Sequence, residues 1–144
     1  MILASILKQK GRDVAHVAPT ATIAAIAELL SRRGIGAVLV CDTAHQLVGI
    51  VSERDIVRGL ALHGGGVLQM TADQIMTRDP RTVAPTATVP EVMGIMTEGR
   101  FRHLPVMEAG QLVGIVSIGD VVKARISEQD QEVDSLRAYV AGAA

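Results

Sequence analysis

A heptapeptide that occurs twice constrains this chain more than anything else in it. Gln46–Ser52 reads QLVGIVS, and Gln111–Ser117 repeats it letter for letter. An aspartate stands three residues after each serine, Asp55 and Asp120, and a basic residue three further on, Arg58 and Lys123. Each copy reads as a short apolar strand running into a helix. The serine at the corner can cap that helix, whose first turn then carries a carboxylate and whose second carries a cation. Two such corners in one small protein predict two equivalent polar sites.

The repetition extends beyond the heptapeptide. Val83–Thr88 copies Val17–Thr22 at an offset of 66, against 65 for the heptapeptide, so the second hairpin loop is one residue shorter. A period seen only twice is a duplication rather than a solenoid. In the first half, Met1–Lys10 reads as an amphipathic helix stopped by Gly11, with an extended piece at Val14–Val17 and a turn at Ala18–Thr20. Thr22 caps a helix over Ile23–Arg33, whose apolar residues Ile23, Ile26, Leu29 and Leu30 share one face and which Gly34 closes. Strands follow at Ala37–Cys41 and Leu47–Val51 around a turn at Asp42–His45, then a helix over residues 53–62. Gly64-Gly65-Gly66 reads as a flexible linker, with a helical turn at residues 72–76. In the second half, Thr88 and Glu91 form a capping box for a helix ending near Glu98. Strands are expected at His103–Met107 and Leu112–Val116, a helix over residues 118–126, and a polar helical tail over Ser127–Val140 with Val133, Leu136 and Val140 on one side. The segments are therefore 1–13, 14–63, 64–79, 80–127 and 128–144. The expected class is α/β (α+β): two half-modules, each a short sheet with two helices, packed about a pseudo-twofold axis.

Composition removes several functions. Apolar residues are 49% of the chain and aromatics 1%, so the core must be aliphatic. So few aromatics supply no stacking platform for single-stranded nucleic acid, and a net charge of −1 gives no basic footprint. Cys41 is the lone cysteine, which leaves no disulfide framework or zinc spacing and fits a reducing compartment. The apolar stretch before Lys8 is too short for a signal peptide, and no run approaches the roughly 18 apolar residues of a membrane helix. The expectation is a soluble, cytoplasmic protein with neither nucleic-acid nor membrane partners. His16, His45, His63 and His103 show no metal-ligand spacing. No G-x-S-x-G elbow and no P-loop lysine are present, so no enzyme reading gathers a nucleophile, base or metal.

The combination of Leu47-Val48-Gly49-Ile50-Val51-Ser52-Glu53-Arg54-Asp55, Asp73-Gln74-Ile75-Met76-Thr77, Arg102-His103-Leu104-Pro105-Val106 and Leu112–Asp120 resembles a tandem pair of cystathionine-β-synthase (CBS) domains, a Bateman module of the small stand-alone bacterial kind. The resemblance covers about residues 1–130. It implies a regulatory, non-catalytic module that holds adenine nucleotides (AMP, ADP, ATP), NAD(H) or S-adenosylmethionine in clefts between the halves. It implies Asp55 and Asp120 as ribose ligands, with Ser52 and Ser117 beside them. Val17, Ala37, Val38, Val83, His103, Leu104 and Pro105 would line the adenine pockets. Arg54, Arg58 and Lys123 are the phosphate candidates, with Arg100 and Arg102 behind them. Elementary chemistry agrees: a carboxylate accepts two hydrogen bonds from a vicinal diol, helix N-termini favour phosphate, and arginine adds a bidentate fork.

The halves differ where phosphate would sit, Glu53-Arg54 standing opposite Ile118-Gly119. Two sites of different affinity, or one that stays empty, are expected. Ser-x-x-Asp is also close to a capping box, a role compatible with ribose binding. Two function classes remain: a nucleotide sensor that signals through a conformational change, and a ligand-independent dimerisation or interaction scaffold. Both call for a homodimer to cover apolar helix faces, and the sensor for an effector protein that reads it.

Overall fold

In the computed structural model, which describes residues 1–11 and 13–143, the repeated corners organise two pseudo-symmetric halves. The first contains β1 (His16–Val17), α2 (Ile23–Arg33), β2 (Ala37–Cys41), β3 (Leu47–Ser52) and α3 (Glu53–His63), preceded in the chain by α1 (Leu3–Lys10). A linking segment carries α4 (Ala72–Ile75) and β4 (Thr77–Arg78). The second half has α5 (Val89–Gly99), β5 (His103–Glu108), β6 (Gln111–Ser117) and α6 (Ile118–Ala143). The class is mixed α+β, as expected.

Local chemistry accounts for the element ends. The Thr22 hydroxyl accepts from the Ala25 N–H, and Gly34 ends α2 in left-handed backbone at φ 62°. Thr88 and Glu91 cap α5 reciprocally, and Ser52 with Asp55 does the same for α3. The first-half sheet runs β1-β2-β3-β4, with β1 parallel to β2 and the other pairs antiparallel. In the second half β5 and β6 form an antiparallel hairpin, and a single parallel bridge from Val83 to Val106 stands where β1 meets β2 in the first. Ala37 lies opposite Ser52 and His103 opposite Ser117, so both hairpins deliver their capping serine from the same register.

Each half has its own aliphatic core. Ile23, Ile26, Val38, Val40, Val51 and Val67 fill the first; Val89, Val92, Leu104, Val106, Val116 and Val121 fill the second. A third cluster places Ala37, Leu39, Cys41 and Ile50 of the first half against Leu112 and Ile115 of the second, so the hairpins close on each other. Full burial of an aliphatic side chain stabilises by roughly 1.5–3 kcal/mol, which is how a chain nearly without aromatics holds together.

Three expectations need correction. The glycine triplet is not an open linker: Gly64–Gln69 forms a 3-10 turn that delivers Val67, fully buried, into the first core. The linker also contains β4, which a two-residue strand pairing with β3 does not announce by periodicity. Finally, α6 runs unbroken from Ile118 to Ala143, because nothing between Ile126 and Ser127 interrupts helical geometry.

α1 belongs to the second half. Leu3, Ile6 and Leu7 are buried in its core, and Leu7 lies over Gly114, where an added Cβ would sit 2.6 Å from Leu7 Cδ2. The first half offers the same seat at Gly49, occupied there by Met76 from the end of α4.

Candidate functional site

The corner between β3 and α3 ends in a carboxylate that the fold both buries and leaves lining a cleft. Asp55, 7% exposed, is the one buried charged residue among those described. Its Oδ2 accepts from the Ser52 N–H at 2.8 Å and the Ser52 hydroxyl at 3.0 Å, while the Asp55 N–H donates to Ser52 Oγ at 3.3 Å. Oδ1 accepts from the Thr77 hydroxyl of β4 at 3.2 Å and faces the exposed Arg58 guanidinium at 3.8 Å. The linker strand is thereby tied to the cap of α3.

A cavity of about 810 Å³ opens over this carboxylate. The first half contributes Gly36, Ile50, Ser52, Glu53, Arg54, Asp55, Val57 and Arg58 to it; the linker contributes Thr77, Asp79, Pro80 and Arg81, and the second half Gly99–Leu104. Five arginines (54, 58, 81, 100 and 102) therefore face three carboxylates (Glu53, Asp55 and Asp79), which leaves a positive surplus around a buried anion. Arg54 Nη1 donates to the Arg100 carbonyl at 3.0 Å and stitches the two halves across the cleft. Arg100 caps α5 in left-handed backbone, φ 56°, where the first half uses Gly34 for the same turn. Asp79, at φ 46°, is a second non-glycine residue in that region on the cleft wall. Such conformations cost on the order of 1–3 kcal/mol each and tend to gather at binding sites.

The residues expected at the sites divide into three groups. Ser52, Arg54, Asp55, Arg58, Arg100, Arg102, His103 and Leu104 are brought together on the first cleft. Val17, Ala37, Val38, Val83 and Pro105 lie outside its lining; Val38 and Val83 point into the two cores and Ala37 into the cluster between the hairpins. Ser117, Asp120 and Lys123 stand at the other corner. There the Ser117 N–H donates to Asp120 Oδ2 at 2.8 Å and the Asp120 N–H donates to Ser117 Oγ at 3.2 Å. Lys10 of α1 reaches the same Oδ2 at 2.6 Å. Burial alone would raise the Asp120 carboxyl, but the Lys10 hydrogen bond and charge and the Ser117 N–H hold it below the usual carboxylate value.

Sequence reading missed Lys10, Thr77, Arg81 and Phe101. Phe101, the one phenylalanine, packs on Gly99 and presents a ring to the cleft wall. Its rarity was a signal that went unused; Lys10 and Thr77 carry no local signal, because their roles exist only through tertiary contact.

Comparison with known proteins decides the family. The CBS domain family matches the chain twice, over residues 10–62 and 72–127. The chain belongs to the CBS domain family. A CBS-domain containing protein, ATU1752 from Agrobacterium tumefaciens, is 44% identical and superimposes with a TM-score of 0.84 over 86% of this chain and 92% of its own. CBSX3, a mitochondrial CBS domain-containing protein of Arabidopsis thaliana, is 36% identical over 78% of this chain and 57% of that protein, so the match spans little more than half of the relative's length. Some of the similar CBS structures carry ligands. PAE2072 from Pyrobaculum aerophilum, complexed with AMP, is 30% identical (TM-score 0.73, 83% of this chain, 89% of its own). The CBS domain pair of protein MJ0100, with 5-methylthioadenosine and S-adenosylmethionine, is 25% identical (TM-score 0.76, 86% and 98%). Among the described residues, no helix is long and apolar enough to cross a membrane.

His103 gives the site a pH signature. Its ring packs on Gly36, where an added Cβ would lie 3.0 Å from Cε1. Burial first, then the Lys10 and Arg102 charges, push its pKa below 6.5, against the opposing pull of Glu53 and Asp120. Folding thus lowers the ring's proton affinity, so below pH 6.5 the unfolded chain binds more protons and stability falls; above it the contribution is complete. Urea denaturation at about pH 7.5 and about pH 5.5 should show a loss on acidification that is smaller in His103→Gln. An unchanged loss in that variant would assign the effect elsewhere.

Proposed function

We propose that this CBS pair is a non-catalytic sensor that binds an adenosine phosphate, or the related NAD(H), in the cleft over Asp55, and that it signals as a homodimer. One observation carries the reading: a buried carboxylate, suited to a ribose diol, lies on a cleft with five arginines. The relatives complexed with AMP and with adenosyl compounds support the ligand class. Asp55 would take the ribose hydroxyls, with Ser52 fixing the carboxylate. Arg54, Arg58, Arg81, Arg100 and Arg102 would take phosphate oxygens in bidentate geometry. Phe101, His103 and Leu104 would wall the base.

The charge distribution orders the candidates. A positive surplus repels a sulfonium cation, so S-adenosylmethionine should bind more weakly than any adenosine phosphate. The same surplus favours ADP, ATP and NAD(H), each with two or more phosphates, over AMP. Ligand enters between Arg54 of one half and Arg100 of the other, so it can bias the angle between halves, by no more than its differential affinity for the two arrangements.

The apolar faces that the fold leaves uncovered support the dimer. α3 exposes Val57 and Leu60, and α6 exposes Ile118, Val122 and Ile126. Beyond the domain body, Ile126, Val133 and Val140 recur at seven-residue spacing with Leu136 between them, the pattern of a helix–helix seam. A second copy pairing these faces is the simplest closed arrangement. The cytoplasmic environment and the effector protein expected from the sequence stay part of this proposal.

Calorimetry with AMP, ADP, ATP, NAD, NADH and S-adenosylmethionine tests the ligand. ADP or a relative should bind, and Asp55→Ala should abolish it; silence toward all six would favour the scaffold reading. Arg100→Gly should weaken ADP binding about tenfold through loss of a charge-assisted hydrogen bond. The same change should raise unfolding stability by about 0.5 kcal/mol, because glycine relieves the left-handed backbone; loss of stability without loss of affinity would make Arg100 merely structural. Sedimentation at micromolar concentration should give twice the 15.2 kDa chain mass, and a monomer would refute the dimer.

A further inference from the structure

The two corners were built by duplication and then treated differently. α1 is to the second half what α4 is to the first. The Leu3 and Ala4 N–H groups donate to the Ala87 and Pro85 carbonyls, as the Ala72 and Asp73 N–H groups donate to Ala21 and Pro19. The Val89 N–H donates to the Met1 carbonyl, as the Ile23 N–H donates to Met70. Past this shared anchor the segments diverge. α4 ends at Ile75 and the chain turns into β4, where Thr77 lies opposite Ile50 and offers a neutral hydroxyl to Asp55. α1 instead runs on to Lys10, whose Nζ donates to the Ile115 carbonyl at 3.0 Å and to Asp120 Oδ2 at 2.6 Å. Ile115 and Asp120 are the duplicates of Ile50 and Asp55. Asp55 meets neutral hydroxyls and the exposed Arg58 guanidinium at 3.8 Å, whereas Asp120 is met by the Lys10 ammonium at hydrogen-bond distance.

A second observation is independent of Lys10. The N–H groups of Glu53 and Ile118 donate to the carbonyls of Gly36 and Arg102, which aligns the halves residue by residue. In that alignment the arginines of the first cleft, Arg54, Arg100 and Arg102, correspond to Gly119, Gly34 and Gly36. Glycines stand at the second corner's counterparts of those three phosphate forks.

We propose that Lys10 is a built-in occupant of the second corner, its ammonium holding the Asp120 carboxylate that a ribose would need, so that each chain takes one nucleotide, over Asp55. This rests on the sensor reading above. The buried Leu3, Ile6 and Leu7 keep α1 seated on the second half, which places Lys10 beside Asp120.

Titration calorimetry on the full chain, with ADP and separately with adenosine, tests it. The wild type should bind one ADP per chain, lost in Asp55→Ala and kept in Asp120→Ala. Lys10→Met, which keeps the aliphatic stem and removes the charge, should add a second, weaker event. That event should have similar strength for ADP and adenosine, because Gly119, Gly34 and Gly36 stand there in place of Arg54, Arg100 and Arg102, and should vanish in Lys10→Met combined with Asp120→Ala. Two ADP per wild-type chain, or a Lys10→Met protein that stays at one, would each overturn the proposal while leaving the sensor reading intact; a single event that follows Asp120 rather than Asp55 would overturn both. Binding to neither wild type nor Lys10→Met would overturn both.

Discussion

The hydrogen bonds between Ser52 and Asp55 hold the structure's functional geometry together. The pair fixes where β3 ends and α3 begins, and it satisfies N–H groups that a buried helix start would otherwise leave unpaired. It also surrounds a carboxylate only 7% exposed with hydrogen-bond donors. Thr77 reaches that carboxylate from the linker, so the path of the chain between the halves is set by the same group. The cleft exists because these constraints meet at one residue, and the arginines of the opposite half come to it because the hairpins pack through Ala37, Leu39, Ile50, Leu112 and Ile115.

Duplication gave two copies of this corner, and substitutions on a shared corner geometry, together with a different segment laid against each, separated their chemistry. Arg100 and Gly34 occupy the same left-handed cap, φ 56° and 62°, yet only one of them brings a cation to a cleft. Glycine is the residue that costs least there, so an arginine in that conformation indicates that its side chain matters more than the strain. His103 sits where the first half has Ala37, and its ring feels the charges of Lys10, Glu53, Asp120 and Arg102. It is the side chain through which the electrostatics of the two corners meet.

Much of this was legible in the sequence, and the reason is local. α2 and α5 begin where Thr22 and Thr88 can cap them, and α2 ends at Gly34; β2 starts and stops where the β-branched run does. The identical heptapeptides announced two equivalent corners, and eight of the expected site residues line one cleft. What escaped depends on contacts between distant segments. A two-residue strand such as β4 has no period to detect. The glycine triplet is ordered because Val67 finds a core, and Lys10 is a surface lysine in any window of sequence until α1 docks on the other half. The unbroken α6 escaped for the opposite reason: a change from amphipathic to polar composition does not end a helix without a breaker.

The central claim is that one cleft, over Asp55, receives the ribose and phosphates of an adenine nucleotide. A crystal structure of the protein grown with ADP tests it directly. The account predicts ribose hydroxyls within hydrogen-bond distance of the Asp55 carboxylate, phosphates among Arg54, Arg100 and Arg102, and Lys10 still on Asp120. Nucleotide seated on Asp120 with Lys10 displaced, or phosphates turned away from the arginines, would contradict it.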